Sequence, residues 1–297
     1  MMELLPLLLV NGVVFGSMYA LNAIGFGIMY NTTNIINFTQ GEFVMLGGML
    51  TYVLYGHAHF PILLAALIAI VATTLIGCAI ERLTIRPLWR RQAKDWTYIF
   101  MLFAVATVIP NLVMLLISRD PQALPSFTGS EPLTFGIVRL SPQALWVVGV
   151  TAVVAVSLHG FFNYTLLGKA MKATAVNRRA AAWMGIPVER MVALSFGLSA
   201  MLGAIGGVVF TPLISTQFDA GLAFTLKGFA AAIIGGLGNI KGAIFGGLML
   251  GILEALSTAF VSSLYGDAIT YGILFIVLIV RPSGFFRPLV ELRQEEI

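Results

Sequence analysis

The 297-residue sequence predicts an all-α polytopic membrane protein of eight or nine transmembrane or re-entrant helices. Three observations carry that expectation. Only 10% of the residues are charged, against about a quarter in an ordinary soluble domain. Hydrophobic residues make up 59%, and they recur in runs of roughly 20, each long enough to cross a hydrocarbon core about 30 Å thick. Lipid offers no hydrogen bonds to the backbone, so repeated runs of this length point to helices.

The apolar segments fall at about 6–30, 42–57, 61–81, 97–118, 143–162, 191–213, 223–239, 242–262 and 264–280. The first carries Glu3 where a secretory leader has a basic flank, and its run is too long for a leader, so it reads as a retained span. The second, seventh and ninth are short or glycine-rich and read as tilted, broken or re-entrant pieces. Cys78, the single cysteine, reads as a packed small residue inside the third. The loop at 119–142 holds prolines and turn residues and is too short for a folded domain. The whole chain, 1–297, reads as one membrane domain.

Basic residues orient the spans. Arg82, Arg86, Arg90, Arg91 and Lys94 follow the third, Lys169, Lys172, Arg178, Arg179 and Arg190 lie between the fifth and sixth, and Arg281, Arg287 and Arg293 form the tail. Nine crossings put all three clusters in the cytoplasm, with the N-terminus outside and the C-terminus inside. The net charge of +4 is thereby explained without nucleic acid.

Polar groups at membrane depth are costly, so each is a candidate functional group. In "NTTNIINFTQGEFVMLGGML" (31–50), Asn34, Asn37, Thr39, Gln40 and Glu42 separate two apolar runs. A helix broken at Asn-Phe-Thr-Gln-Gly would leave backbone amides unpaired near a substrate path. A plain cytoplasmic turn with an N-cap is the other reading, and Glu42 suits a first helical turn in both. In 228–260, Gly235, Gly238, Gly242, Gly246, Gly247 and Gly251 are spaced for close helix packing. Glu254 is an acid inside a span, with Lys227 and Lys241 as conceivable partners.

Enzyme chemistry has little support. "GGLGNIKGA" (235–243) lacks the Gly-Lys-Ser/Thr order of a phosphate loop, and no zinc-protease or hydrolase motif occurs. Neither a catalytic residue, a metal nor a cofactor is expected, and energy must come from outside the chain or from an ion gradient.

The cytoplasmic loop 163–190 contains "GKAMKATAVNRRAAAWMGIPVER" (168–190). Ala173 to Met184 reads as one short surface helix, Gly185 as its left-handed stop and Pro187 as the start of the next. Ala180, Ala181 and Ala182 make it a helix that a partner can grip at close range.

"AVNRRAAAWMGIPVERMVALSF" resembles the coupling segment of the branched-chain amino acid ABC-transporter permeases. "NGVVFGSMYALNAIGFGIMY", "INFTQGEFVMLGG", "ERLTIRPLWR", "GGLGNIKGAIFGGLMLGILEAL" and "RPSGFFRP" are similar to that family in the same order. Thr39-Gln40 and Lys241 depart from the family's frequent Ala-His and Pro. The resemblance implies an inner-membrane ABC importer permease that is not itself an enzyme. Its partners would be two ATPase subunits, a homologous second permease in a hetero- or homodimer, a periplasmic binding protein and membrane lipid. It further implies a substrate path near Asn37, Gln40, Gly41, Glu42 and Glu254, and an ATPase-coupling helix with Asn177, Arg178, Ala181, Gly185 and Ile186. Branched-chain amino acids are the expected cargo, with urea or short-chain amides as the family alternative. An ion-coupled secondary transporter using Glu254, or a passive channel, is the rival from another class.

Overall fold

The computed structural model describes residues 5–129, 131–135, 138–260, 266–281 and 284–286. The apolar runs become helices with bounds close to those expected. They are α1 (Leu5–Thr33), α2 (Gln40–Tyr52), α3 (Ile62–Ile80), α4 (Arg86–Arg90), α5 (Asp95–Leu116), α6 (Pro142–Tyr164), α7 (Leu166–Val176), α8 (Arg178–Trp183), α9 (Val188–Ile214), α10 (Ala220–Gly235), α11 (Ile240–Phe260) and α12 (Gly266–Val280). A π turn at Val53–His57 continues α2, and another at Glu81–Ile85 joins α3 to α4. Among the described residues six helices are long and apolar enough to cross a membrane: α1, α3 with its extension, α5, α6, α9 and α11. The apolar helices α2, α10 and α12 are shorter.

α1 and α9 are the most buried of the long helices and α5 the least, so the bundle is built around the first two. Glycines let α11 lie directly on α1. A Cβ at Gly251 would strike the Gly16 amide nitrogen and the Gly12 carbonyl oxygen, so only glycine permits this approach. The 117–141 loop forms a hairpin, β1 (Leu133–Phe135) with β2 (Val138–Leu140), which the apolar pattern did not reveal. Gln122 and Thr216 exchange backbone hydrogen bonds of 2.7 and 2.8 Å, tying this loop to the link between α9 and α10.

α2 does not start at the end of the bundle. Gln40 lies beside Ser199, near the middle of α9, and Gly48 lies beside Thr211, so α2 runs parallel to the second half of α9. α10 runs the other way, with Gly221 against Glu42 and Thr225 against Gly41. The two short helices therefore overlap by their first turns inside the bundle. This is a broken arrangement and not a surface turn.

The expected single helix from Ala173 to Met184 is corrected to two. Asn177 is extended (φ −154°, ψ 104°), and its side-chain oxygen accepts the Ala180 N–H at 3.0 Å as the N-cap of α8. Asparagine competes with the helix for its own backbone bonds and favours caps over helix interiors. Gly185, at φ +79°, ends α8 in the left-handed conformation expected of it.

Candidate functional site

The helix break at 34–39 is lined with polar residues that bond one another. Asn37 is 1% exposed, and its side-chain oxygen accepts both the N–H (3.0 Å) and the hydroxyl of Thr39. Gln40, fully buried, donates from Nε2 to the Ser199 carbonyl at 3.1 Å. The Ser199 hydroxyl meets the Gln40 side-chain oxygen and lies 3.0 Å from the Gly25 carbonyl. Gly41 donates its N–H to Thr225 Oγ1 at 3.0 Å, and that hydroxyl lies 3.3 Å from the Phe38 carbonyl. The expectation of unpaired amides at the break is thus overturned for Ile35, Thr39 and Gly41, whose N–H groups meet side-chain oxygens. Buried amides without partners cost too much free energy to leave open.

Glu42 completes this layer. Its carboxyl group is buried against Gly221, the second residue of α10, where an added Cβ would strike both carboxyl oxygens. Oε2 has no hydrogen-bond partner among the described residues. The positive end of the α10 dipole faces the carboxyl group and offsets part of the cost of burying it. Asn22, which sequence reasoning passed over, donates to the Phe224 carbonyl at 2.5 Å and braces α1 against α10.

Glu254 sits apart from that layer. Lys227 donates to its Oε1 at 2.7 Å and Tyr19 to its Oε2 at 2.8 Å, while the Lys227 ammonium also lies 5.7 Å from the Tyr19 ring centre. Lys227, not Lys241, is the partner. The cluster links α1, α10 and α11 by satisfying three polar groups at once, as an ion pair in a membrane protein requires.

At the other candidate region, Arg178 turns inward and donates twice to the Thr32 carbonyl, at 2.8 and 3.1 Å, with its guanidinium 5.1 Å from the Trp89 ring centre. Ala181 is 3% exposed and faces the helix bundle, and Ile186 is half-buried with its N–H on the Ala181 carbonyl. Asn177 and Gly185 are exposed. The outward surface of α8 belongs instead to Trp183 and Met184, 86% and 83% exposed. The signal was present in the sequence: two large apolar residues at the end of a short, otherwise small-residue helix.

Thr107 and Asn111 were also missed. They lie one turn apart on the exposed face of α5, opposite the buried Leu102, Ile109 and Val113. Asn111 Nδ2 donates to the Thr107 carbonyl (2.8 Å) and Thr107 Oγ1 to the Phe103 carbonyl (3.0 Å). Pro110, inside the helix, cannot donate to the Ala106 carbonyl. Polar groups in a span face a partner or water, not lipid. Phe103 packs edge-on against Phe38 of the broken segment, which connects this face to the buried layer. Among the described residues no cluster of His, Cys, Asp and Glu is placed to hold a metal.

A bundle of long apolar helices with two short helices meeting inside it defines a polytopic α-helical membrane protein. The solved structure of PsaBC from Streptococcus pneumoniae in complex with Fab shares the fold, with a TM-score of 0.52 at 12% identity over 96% of this chain and 94% of that one. Residues 8–278 match the family described as branched-chain amino acid transport system / permease component, and the chain belongs to that family. The high-affinity branched-chain amino acid transport system permease protein LivH of Escherichia coli K12 is 35% identical, with 95% of each chain covered. BraD of Pseudomonas aeruginosa PAO1, which carries the same description, is 32% identical over 95% of this chain and 96% of its own.

Proposed function

We propose that this chain is the permease subunit of an ATP-driven inner-membrane importer of branched-chain amino acids. It would work with two ATPase subunits, a second homologous permease and a periplasmic binding protein, its N-terminus outside and its C-terminus in the cytoplasm. Family membership supports the transport role, and the names of LivH and BraD support the cargo. The observation that carries the energy coupling is α8: a six-residue helix ending in two almost fully exposed large apolar side chains. Such residues are characteristic anchors of a protein interface.

In this reading Trp183 and Met184 enter the ATPase, with Asn177 capping the helix and Gly185 setting its exit. Arg178 acts as a tether. Motion of α8 is passed to the Thr32 carbonyl, two residues before the broken segment that leads into α2. The buried layer of Asn37, Gln40, Gly41 and Glu42 transmits that motion to α9 and α10. The cargo itself passes along the outer face of α5, where Thr107, Asn111 and the Ala106 carbonyl offer acceptors to an ammonium group. The branched side chain would move past Phe103 and Phe38. Glu254 keeps its ion pair with Lys227 and holds α11 in place.

The test is uptake of labelled leucine into vesicles containing the complete importer, with and without ATP and binding protein. Uptake that requires both supports the proposal. Uptake by the permease alone under a proton or sodium gradient would support a secondary transporter, and preference for urea over leucine would move the cargo to the amide class.

A further inference from the structure

The glycine-rich run at 235–243 lacks the order of a phosphate loop, yet it joins α10 to α11 by a turn at 236–239. Gly236 (φ +98°) and Gly238 (φ +87°) both hold the left-handed backbone that this turn requires. The Asn239 side-chain oxygen accepts the N–H groups of Lys241 (3.0 Å) and Gly242 (3.2 Å), so these first amides of α11 serve a cap and not a ligand. The turn is gripped from two other parts of the chain. Asn31, near the end of α1, donates from Nδ2 to the Gly238 carbonyl at 2.7 Å. A Cβ at Gly238 would strike the Asn31 side chain, so the fit requires glycine. The next residue, Thr32, is the one whose carbonyl takes two hydrogen bonds from Arg178 of α8. Two adjacent residues of α1 therefore join α8 to the α10–α11 turn. From the other side, Phe285 and Phe286 donate their N–H groups to the carbonyls of Ile234 (2.9 Å) and Gly235 (3.1 Å). The last carbonyls of a helix lack partners within it, and this strap satisfies two of them at the end of α10.

We propose that Asn31 is a positioning residue that links α8 to α10, so that a displacement of α8 reaches the polar layer through α10 as well as through α2. α10 runs from this turn to Gly221, which packs on Glu42, and Thr225 accepts the Gly41 N–H on the way. Hydrogen-bond networks and rigid helices are the physical carriers of such coupling, and a helix capped at its end moves as a body instead of fraying. Asn31 supplies the one side-chain bond from the end of α1 to the turn, and Arg178 supplies the bonds from α8 to the same end. The inference rests on the permease reading for the reason that α8 moves. The linkage itself needs neither ATPase nor cargo.

The test is hydrogen exchange in the full chain in lipid nanodiscs, read at the amides of 239–243. Arg178→Met keeps the stem and removes the guanidinium, and it should raise their exchange about fivefold, the worth of one hydrogen bond. In an Asn31→Ala background, where exchange at 239–243 is already raised, Arg178→Met should add nothing. Asn31→Gln, which keeps the carboxamide, should restore part of the response. An effect of Arg178→Met that is absent, or of equal size in the Asn31→Ala background, overturns the proposal. So does a rise shared with the 147–158 amides of α6, which would mean general loosening of the fold. In the complete importer, Asn31→Ala should cut the leucine carried per ATP hydrolysed by about fivefold while leaving ATPase affinity as it was, and an unchanged ratio also overturns the proposal. Wild type without ATP-driven uptake would count against the permease reading alone, and the exchange measurement would still decide the linkage.

Discussion

The broken segment at 34–42 and the α8 segment at 177–186 both interrupt apolar runs with polar or small residues, yet the structure treats them in opposite ways. The first is drawn inside: Asn37, Thr39, Gln40 and Glu42 are each 3% exposed or less and engage α1, α9 and α10. The second is pushed out, with Trp183 and Met184 almost fully exposed. The difference lies in solvent. At membrane depth a polar group without a partner is expensive, so the side chains of this cluster bond to one another and to neighbouring helices. At the membrane edge water satisfies the backbone, and large apolar residues can be left uncovered for a partner protein.

The comparison can be broken from either side. Gly221→Leu should have the largest effect, because its side chain must displace the Glu42 carboxyl group and the first turn of α2. Overpacking of that kind costs about 3 kcal/mol or more, and folded protein should largely disappear from size-exclusion profiles. Trp183→Ala should leave the unfolding temperature unchanged and weaken ATPase binding by about 2 kcal/mol, roughly thirtyfold, measured by titration of the ATPase. Gln40→Leu should do the reverse. It removes the side-chain bonds between Gln40 and Ser199, leaving the Ser199 hydroxyl only the Gly25 carbonyl, destabilises the bundle by roughly 1–2 kcal/mol, and leaves ATPase affinity as it was. The smallest effect on stability belongs to Thr107→Val with Asn111→Leu, within about 0.5 kcal/mol for exposed positions, but leucine uptake by the intact importer should fall sharply.

Much of this was legible in the sequence. Helix bounds followed from apolar length, because lipid sets the length directly: segment 143–162 became Pro142–Tyr164, and 191–213 became Val188–Ile214. The glycines at 242–251 announced close packing, and Gly185 announced a left-handed stop. Depth and direction were not legible. Nothing in the order Asn-Phe-Thr-Gln-Gly shows that Gln40 lies beside the middle of α9. Composition gives no orientation, so Thr107 and Asn111 passed as ordinary span residues until the structure placed them opposite the buried face of α5. The split at Asn177 was missed because helix propensity summed over alanines outweighed one capping residue, while Asn177 gains more by capping α8 than by continuing α7.

The central claim is that the polar layer is sealed scaffold and that cargo and partner meet other surfaces. It is tested most directly by single cysteines in a Cys78→Ser background, treated in intact membranes with a hydrophilic thiol reagent. Thr107→Cys and Trp183→Cys should react readily, and Gln40→Cys should not. Reaction of Gln40→Cys as fast as Thr107→Cys, with Gln40→Cys still folded, would contradict the account and move the path into the layer itself.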